Sequence, residues 1–227
     1  MPKLSNRAEG DKARIFIVDD HPIVRRGLQF MLNLESTMMV CGEAESGPEA
    51  LRKMQAAKPD AAIVDLSLKG GSGLDLIKDL RSQFPKLKLL VFSMHDEMFY
   101  AQRVLRLGAQ GYITKEEGAE RAVEALRMIL KGKKYVSPAI ADRIFSTMSG
   151  SASDGEPASV DQLSDRELEV LQMIGSGLGT RAISERLSLS IKTIESYREN
   201  IKAKLGLNDA AELTSYAYKW VNREKSP

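Results

Sequence analysis

Cysteine, histidine and aromatic residues are scarce in this chain of 227 residues, and neither sign of charge dominates it. The single cysteine, Cys41, cannot close an internal disulfide, so a packed core in a reducing compartment is expected. Two histidines, His21 and His95, add too few further donors for a structural zinc centre. With 33 Lys and Arg against 31 Asp and Glu, histone-like, heparin-binding and strongly acidic scaffold proteins are excluded, and any nucleic-acid role must come from local arrangement. No apolar run reaches the ~18 to 20 residues of a membrane helix. The stretch Met1 to Asp11 is polar and lacks the apolar core of a secretory signal, so a cytoplasmic protein without membrane contact is expected.

Two textures divide what is present. From Ala13 to Gly132, short apolar runs alternate with segments of helical period, the pattern of βα units around a parallel sheet. Candidate strands are Arg14–Val18, Met38–Cys41, Ala61–Val64, Leu87–Phe92 and Gly111–Ile113. Ser46 and Glu49 have capping-box spacing with Pro48 in the first turn, and Leu51 and Met54 continue that helix as its apolar stripe. Leu74, Ile77, Leu80 and Phe84 mark the third helix, Tyr100, Val104, Leu105 and Leu107 the fourth, and Ala122, Val123, Leu126, Ile129 and Leu130 the fifth. After Ser137-Pro138 the texture changes, and Ser146 to Ser159 is rich in serine and glycine, as a linker would be. Four helices follow without strands: Asp165–Gly175, Thr180–Leu187, Ile191–Leu205 and Ala210 to about Asn222. The expected division is residues 13–137, a linker over 138–160, and a helical domain over 161–222. The fold class is thus an α/β doubly wound, five-stranded parallel sheet, followed by an all-α four-helix domain.

Ligands of doubly wound sheets bind beyond the carboxyl ends of the strands. Asp19 and Asp20 follow the first strand, Asp65 the third, Ser93 ends the fourth and Lys115 lies past the fifth, so groups distant in sequence share one rim. Three neighbouring carboxylates repel one another, and a hard, oxygen-preferring cation such as Mg²⁺ relieves them. A lysine beside them stabilises phosphoryl oxygens as a point charge, and a serine hydroxyl adds one directional hydrogen bond. Asp65 stands alone at its strand end and is the candidate nucleophile, able to form an aspartyl phosphate without a separate base because it is already ionised at neutral pH. Singly, a strand-end Asp is more often a turn former; the set is what points to phosphoryl chemistry.

Residues 13–132 resemble the receiver domain of bacterial two-component response regulators. The resemblance rests on Ile17-Val18-Asp19-Asp20-His21, Val64-Asp65-Leu66-Ser67-Leu68, Ser72-Gly73-Leu74, Ser93-Met94-His95-Asp96 and Gly108-Ala109-Gln110-Gly111-Tyr112. It implies a flavodoxin-like fold with Asp65 as phosphoacceptor and Lys115 beside it. It also implies Asp20, Asp65 and the Ser67 carbonyl as Mg²⁺ ligands, Asp19 helping through water, and Ser93 and Tyr112 as a switch pair. Two departures from the family pattern stand out. Lys69, Gly71 and Ser72 replace a common Pro, Met and Asp, which is expected to loosen the loop near the metal, and Glu116 follows Lys115 in place of Pro or Asp.

The segment from Gly179 to Leu205 has helix-turn-helix proportions, whose second helix enters the major groove. Ile194, Tyr197, Ile201 and Leu205 form its core stripe, with Lys192, Glu195, Ser196 and Glu199 outward. Residues 161–227 carry ten bases and ten acids, but the recognition helix itself carries Lys192, Arg198, Lys202 and Lys204 against Glu195 and Glu199, a local excess for phosphate contacts. Leu163 to Leu171, Thr193 to Ile201 and Lys204-Leu205-Gly206 closely resemble the LuxR-type DNA-binding domain, and with the receiver they place the chain in the NarL/FixJ subfamily. The resemblance implies DNA contacts at Thr180, Arg181, Lys192, Thr193, Glu195, Ser196 and Arg198. It also implies dimerisation through the last helix, where Ala211, Leu213, Thr214, Ala217 and Tyr218 are the first residues to consider. Glu195 stands where Lys is frequent, and its carboxylate suits cytosine N4 better than phosphate.

The expected function is phosphotransfer from a sensor histidine kinase or a small phosphodonor to Asp65, which promotes homodimeric binding to promoter DNA; turnover catalysis is not expected. Two other classes compete. A phosphatase using an aspartyl phosphate would place a second Asp two residues beyond the first-strand nucleophile, and His21 stands there. A regulator whose helices contact RNA polymerase or another protein instead of DNA is kept open by the neutral helical domain, and the salt dependence of DNA affinity separates the two.

Overall fold

A computed structural model describes residues 12–69, 71–148, 160–187 and 189–222 and divides into two compact units, Met1–Ser151 and Ala152–Pro227, each taken by itself below. The first unit runs β1 (Ala13–Val18), α1 (Pro22–Asn33), β2 (Met38–Ala44), α2 (Gly47–Ala57), β3 (Ala61–Val64), β4 (Ser67–Leu68), β5 (Gly71–Ser72), α3 (Gly73–Gln83), β6 (Lys88–Ser93), α4 (Glu97–Arg106), β7 (Gly111–Thr114), α5 (Gly118–Leu130) and α6 (Pro138–Met148). Five strands pair in parallel in the order β2-β1-β3-β6-β7. The strand runs are almost continuously apolar because helices cover both faces. Ile15 to Val18, Ala61 to Val64 and Leu89 to Val91 are all buried. On one face Leu28, Leu32, Val123, Leu126 and Ile129 close over Ile15, Ile17, Ile63 and Leu90. The order reverses about β1, so the crevice between the ends of β1 and β3 is where this topology puts a ligand.

Three local expectations change. Ser46 is the N-cap of α2, but its side chain makes no capping bond; Glu49 accepts instead from the Glu45 N–H at 2.9 Å and pairs with Lys53 at 2.7 Å. The buried face of that helix is Ala50 and Met54, with Leu51 only half-buried. The loop after Asp65, expected to be loose, pairs as the small antiparallel hairpin β4–β5, Ser67 opposite Ser72 and Leu68 opposite Gly71. Beyond it, Gly73 lies so close to the Asp65 carbonyl that a Cβ would overlap it.

The stretch 138–160, expected as linker, opens with α6. Its start is marked by Ser137, whose hydroxyl accepts the Ile140 N–H at 3.3 Å, and by Pro138 in the first turn. Ile140 is buried, and α6 packs on α4. The serine-rich residues 149–159 lie outside the described residues. Upstream of α6 the chain is stitched to β7: Tyr135 donates to the Gln110 carbonyl at 2.9 Å and accepts from the Tyr112 N–H at 3.0 Å. A side chain at Gly111 would meet the Tyr135 carbonyl at 2.8 Å, so glycine permits this pairing.

The second unit is α7 (Asp165–Gly175), α8 (Thr180–Leu187), α9 (Ile191–Leu205) and α10 (Ala210–Val221), preceded by a short 3₁₀ turn. Ser164 and Glu167 form a reciprocal capping box on α7, Ser190 caps α9, and Gly206 ends it in the left-handed region at φ 67°. Leu168, Leu171, Ile174, Ile183, Ile194, Ile201, Leu213, Ala217 and Trp220 make the core, while Tyr197, expected in the stripe, is half-buried. Gly175 lets α7 and α10 approach, since a Cβ there would overlap the Ala217 carbonyl.

Candidate functional site

Asp19 and Asp65 emerge from β1 and β3 side by side and are almost wholly buried. Lys115, past β7, places Nζ 2.7 Å from Asp19 Oδ2 and 2.7 Å from Asp65 Oδ2. The His21 N–H donates to Asp19 Oδ1 at 2.8 Å, and Arg25 donates to the Asp19 carbonyl at 2.7 Å. The remaining oxygen of Asp65, Oδ1, accepts the Ser67 N–H at the longer distance of 3.3 Å. Burial, followed by the charge of Asp65, raises the pKa of Asp19 against the opposing bonds from Lys115 and His21. For Lys115, burial works against the charge, but Asp65 and Asp19 outweigh it and hold the ammonium above the ordinary lysine range.

Asp19, Asp20, His21 and Asp65 each offer a ligand atom within 4.8 Å of the others. Asp20 Oδ1 is buried and makes no hydrogen bond of adequate geometry among the described residues, although His21 Nδ1 lies 2.7 Å away. Three convergent carboxylates, one with a buried oxygen that faces only the His21 imidazole among the described residues, are the donor set that a hard divalent cation fits. The imidazole of His21 was not expected there; it follows from the turn that carries the chain into α1, for which His21 is the N-cap.

Ser93 and Tyr112 are also buried and adjacent. The Tyr112 hydroxyl donates to the His95 carbonyl at 2.7 Å, and the His95 N–H donates to Ser93 Oγ at 3.4 Å, so both side chains meet the His95 backbone. Burial foremost, then neighbouring Tyr100 and Asp65, pushes the phenol well above its usual range, so it stays a neutral donor. His95 is a further residue that the sequence reading left without a role. Its Nε2 lies 2.9 Å from Ser67 Oγ and its ring rests on Tyr100 at 4.7 Å, so it ties β4 to the loop after β6.

In the second unit, α8 and α9 are joined by a short turn in which Ser188 lies outside the described residues. Arg181, Lys192, Glu195 and Ser196 are exposed, and Thr180, Thr193, Arg198 and Lys202 are half-buried. Thr193 Oγ1 is 2.7 Å from Ser190 Oγ, and Ser196 bonds the Lys192 carbonyl at 3.0 Å, so both hydroxyls are engaged with their own helix. The basic excess of α9 is smaller than its sequence implies. Lys204 pairs with buried Glu167 at 2.6 Å, tying α9 to α7, and Lys202 pairs with Glu199 at 3.0 Å. Leu213 and Ala217, expected at a dimer contact, face the core of their own unit; Ala211, Thr214 and Tyr218 are the exposed members of that set.

The family described as response regulator receiver domain matches residues 15–127, and that described as bacterial regulatory proteins, luxR family, matches residues 161–217. The chain is 37% identical over 210 residues to the oxygen regulatory protein NreC of Staphylococcus aureus (strain JH9), covering 91% of this chain and 97% of that one. The chain belongs to the response regulator family. Among solved structures, this response regulator is similar to RcsB of Salmonella typhimurium, with a TM-score of 0.67, 28% identity, and 92% and 98% of the two chains covered. It is also similar to RcsB of Salmonella enterica serovar Typhimurium bound to a promoter in the presence of phosphomimetic BeF3⁻, at a TM-score of 0.63, 27% identity, and 92% and 99% covered. It is thus a two-component response regulator of the NarL type, with a receiver and a LuxR-type DNA-binding domain acting in transcription regulation. No helix among the described residues is long and apolar enough to cross a membrane.

Proposed function

We propose that Asp65 is the phosphoacceptor of this response regulator and that its phosphorylation by a sensor histidine kinase, or by a small phosphodonor, promotes sequence-specific binding of a homodimer to promoter DNA. One observation carries the assignment: Asp65 shares the Lys115 ammonium with Asp19 in a buried pocket while its other oxygen keeps, among the described residues, only one long hydrogen bond. That oxygen, Oδ1, is the nucleophile. As its bond to phosphorus forms, the bond from phosphorus to the donor breaks, and Lys115 faces the transferred oxygens. Asp20 and Asp65, with the Ser67 carbonyl and with Asp19 through water, would hold Mg²⁺, which neutralises charge on the transferred group. Ser93 would then turn its hydroxyl toward the phosphoryl group, and Tyr112 would give up its bond to the His95 carbonyl and rotate into the vacated space. Ile23 and Met94, 76% and 65% exposed and close in sequence to Asp20 and Ser93, give the kinase an apolar foothold beside this rim.

Thr180, Arg181, Lys192, Thr193, Glu195, Ser196, Arg198 and Lys202 form the DNA-facing set, with Arg181, Lys192 and Arg198 as its untied cations among the described residues. The chain consumes one phosphoryl group as a signal and is not a turnover enzyme; its work is cytoplasmic. The test compares wild type with Asp65→Asn, with and without acetyl phosphate and Mg²⁺. Wild type alone should gain the mass of a phosphoryl group and bind a selected duplex more tightly. Phosphorylation of the variant to the same extent, or unchanged affinity of phosphorylated wild type, overturns the proposal.

A further inference from the structure

We infer that Ile191, at the first turn of α9, is a specificity-determining residue that packs against a thymine methyl group in the major groove. The inference rests on the DNA-binding role of the second unit and adds a base to its readout. Ile191 is 43% exposed, one of two large apolar side chains exposed among the described residues of that unit, the other being Tyr218 on α10. A lone exposed isoleucine needs no explanation on most surfaces. This one sits immediately after the N-cap Ser190, at the end of a recognition helix that meets base edges, and its side-chain neighbours on the outward face, Lys192, Glu195 and Ser196, are polar.

The chemistry of that end separates the roles. Ser190 and Thr193 satisfy each other and the helix N-terminus, and Ser196 is bonded to the Lys192 carbonyl, so their hydroxyls are committed. Beside the Lys192 cation, what remains free at this end to meet bases is the Ile191 alkyl group and the Glu195 carboxylate. They are one helical turn apart on the same face, about 6 Å along the axis, or roughly two base-pair steps of 3.4 Å. Of the groups displayed in the major groove, the thymine C5 methyl is the apolar one, and an accepting carboxylate suits cytosine N4. The two side chains together therefore prefer a thymine and a cytosine about two base pairs apart.

The experiment selects a duplex from a random pool with the full-length phosphorylated chain and replaces each thymine in turn by uracil, which removes only the methyl. At one position wild type should lose affinity about fourfold, the equivalent of one methyl-sized group, about 0.8 kcal/mol. Ile191→Ala should bind thymine and uracil duplexes equally, and Ile191→Val should keep most of the dependence. Circular dichroism confirms that each variant is folded, and the valine variant carries the test if the alanine variant is not. Equal losses in wild type and Ile191→Ala, no methyl dependence at any thymine, or a selected site without thymine overturns the inference while leaving DNA binding intact. Failure to enrich any duplex overturns the DNA-binding reading and this inference with it.

Discussion

Replacing Lys115 by methionine removes the cation that Asp19 and Asp65 share while keeping the length of the side chain. Each contact is 2.7 Å, which at an effective dielectric of 20 is about 6 kcal/mol of gross attraction. Burial of three charged groups offsets most of this, and breaking one side of a buried pair typically costs about 3 to 5 kcal/mol. Protonation of Asp19, whose pKa is already raised by burial, relieves part of the new repulsion, so the lower end, about 3 kcal/mol, is expected. For a receiver of this size that is a fall in Tm of roughly 10 °C. Mg²⁺ should reverse much of it, because a ligand at a hundred times its Kd stabilises by about 2.7 kcal/mol and the variant site is the more negative one. The assay is thermal unfolding by circular dichroism with and without Mg²⁺, with emission from Trp220, the single tryptophan, reporting the second unit separately. A variant within about 1 kcal/mol of wild type without metal, or an equal gain from Mg²⁺ in both proteins, would refute the view that Lys115 balances the carboxylates.

Three further outcomes are expected. Glu167 is held below the usual carboxylate range: burial opposes its charge, but Lys204 and Ser164 outweigh burial. Its contribution is therefore present above the ordinary glutamate pKa and lost as pH falls through the lower folded value. Trp220 emission in urea at falling pH should show this loss in wild type and much less of it in Lys204→Met; parallel curves count against it. Gly73→Ala, which forces a methyl onto the Asp65 carbonyl, should cost about 1 to 3 kcal/mol as overpacking does and slow phosphorylation of Asp65, read by unfolding and by the rate of mass gain. Glu195→Ala should relax preference at one base pair; a uniform loss of affinity on every duplex would instead make Glu195 a general contact.

The rim was legible because strand ends are marked by the switch from apolar runs to Asp19-Asp20, Asp65, Ser93 and Lys115, and the topology of a parallel sheet brings such ends together. The helices of the second unit were legible for a similar reason: Ser164, Ser190 and Asp209 start them, and Gly206 ends α9 in the left-handed region. Contacts between residues far apart carry no periodic signal. His95 meets Ser67 across 28 residues and Lys204 meets Glu167 across 37, and nothing in the spacing of either pair foretells the bond. Composition misled over α6, where Ser137-Pro138 is a sound helix start overshadowed by the serine-rich run beyond it. The pattern at Ser46 misled for a finer reason: Glu49 turns back to the N–H of Glu45, one residue before the position a capping box requires.

Tyr135 borders β7 on the side where the five-stranded sheet ends. A bare terminal strand invites another chain to join it, and here the two backbone bonds from Tyr135 occupy that position. One of these bonds, from the Tyr112 N–H to the Tyr135 carbonyl, anchors the main chain of Tyr112 whatever its ring does. A rotamer change at Tyr112 would thus be confined to the side chain, like a lever turning on a fixed pin, and the pin is shared with the segment that leads into α6.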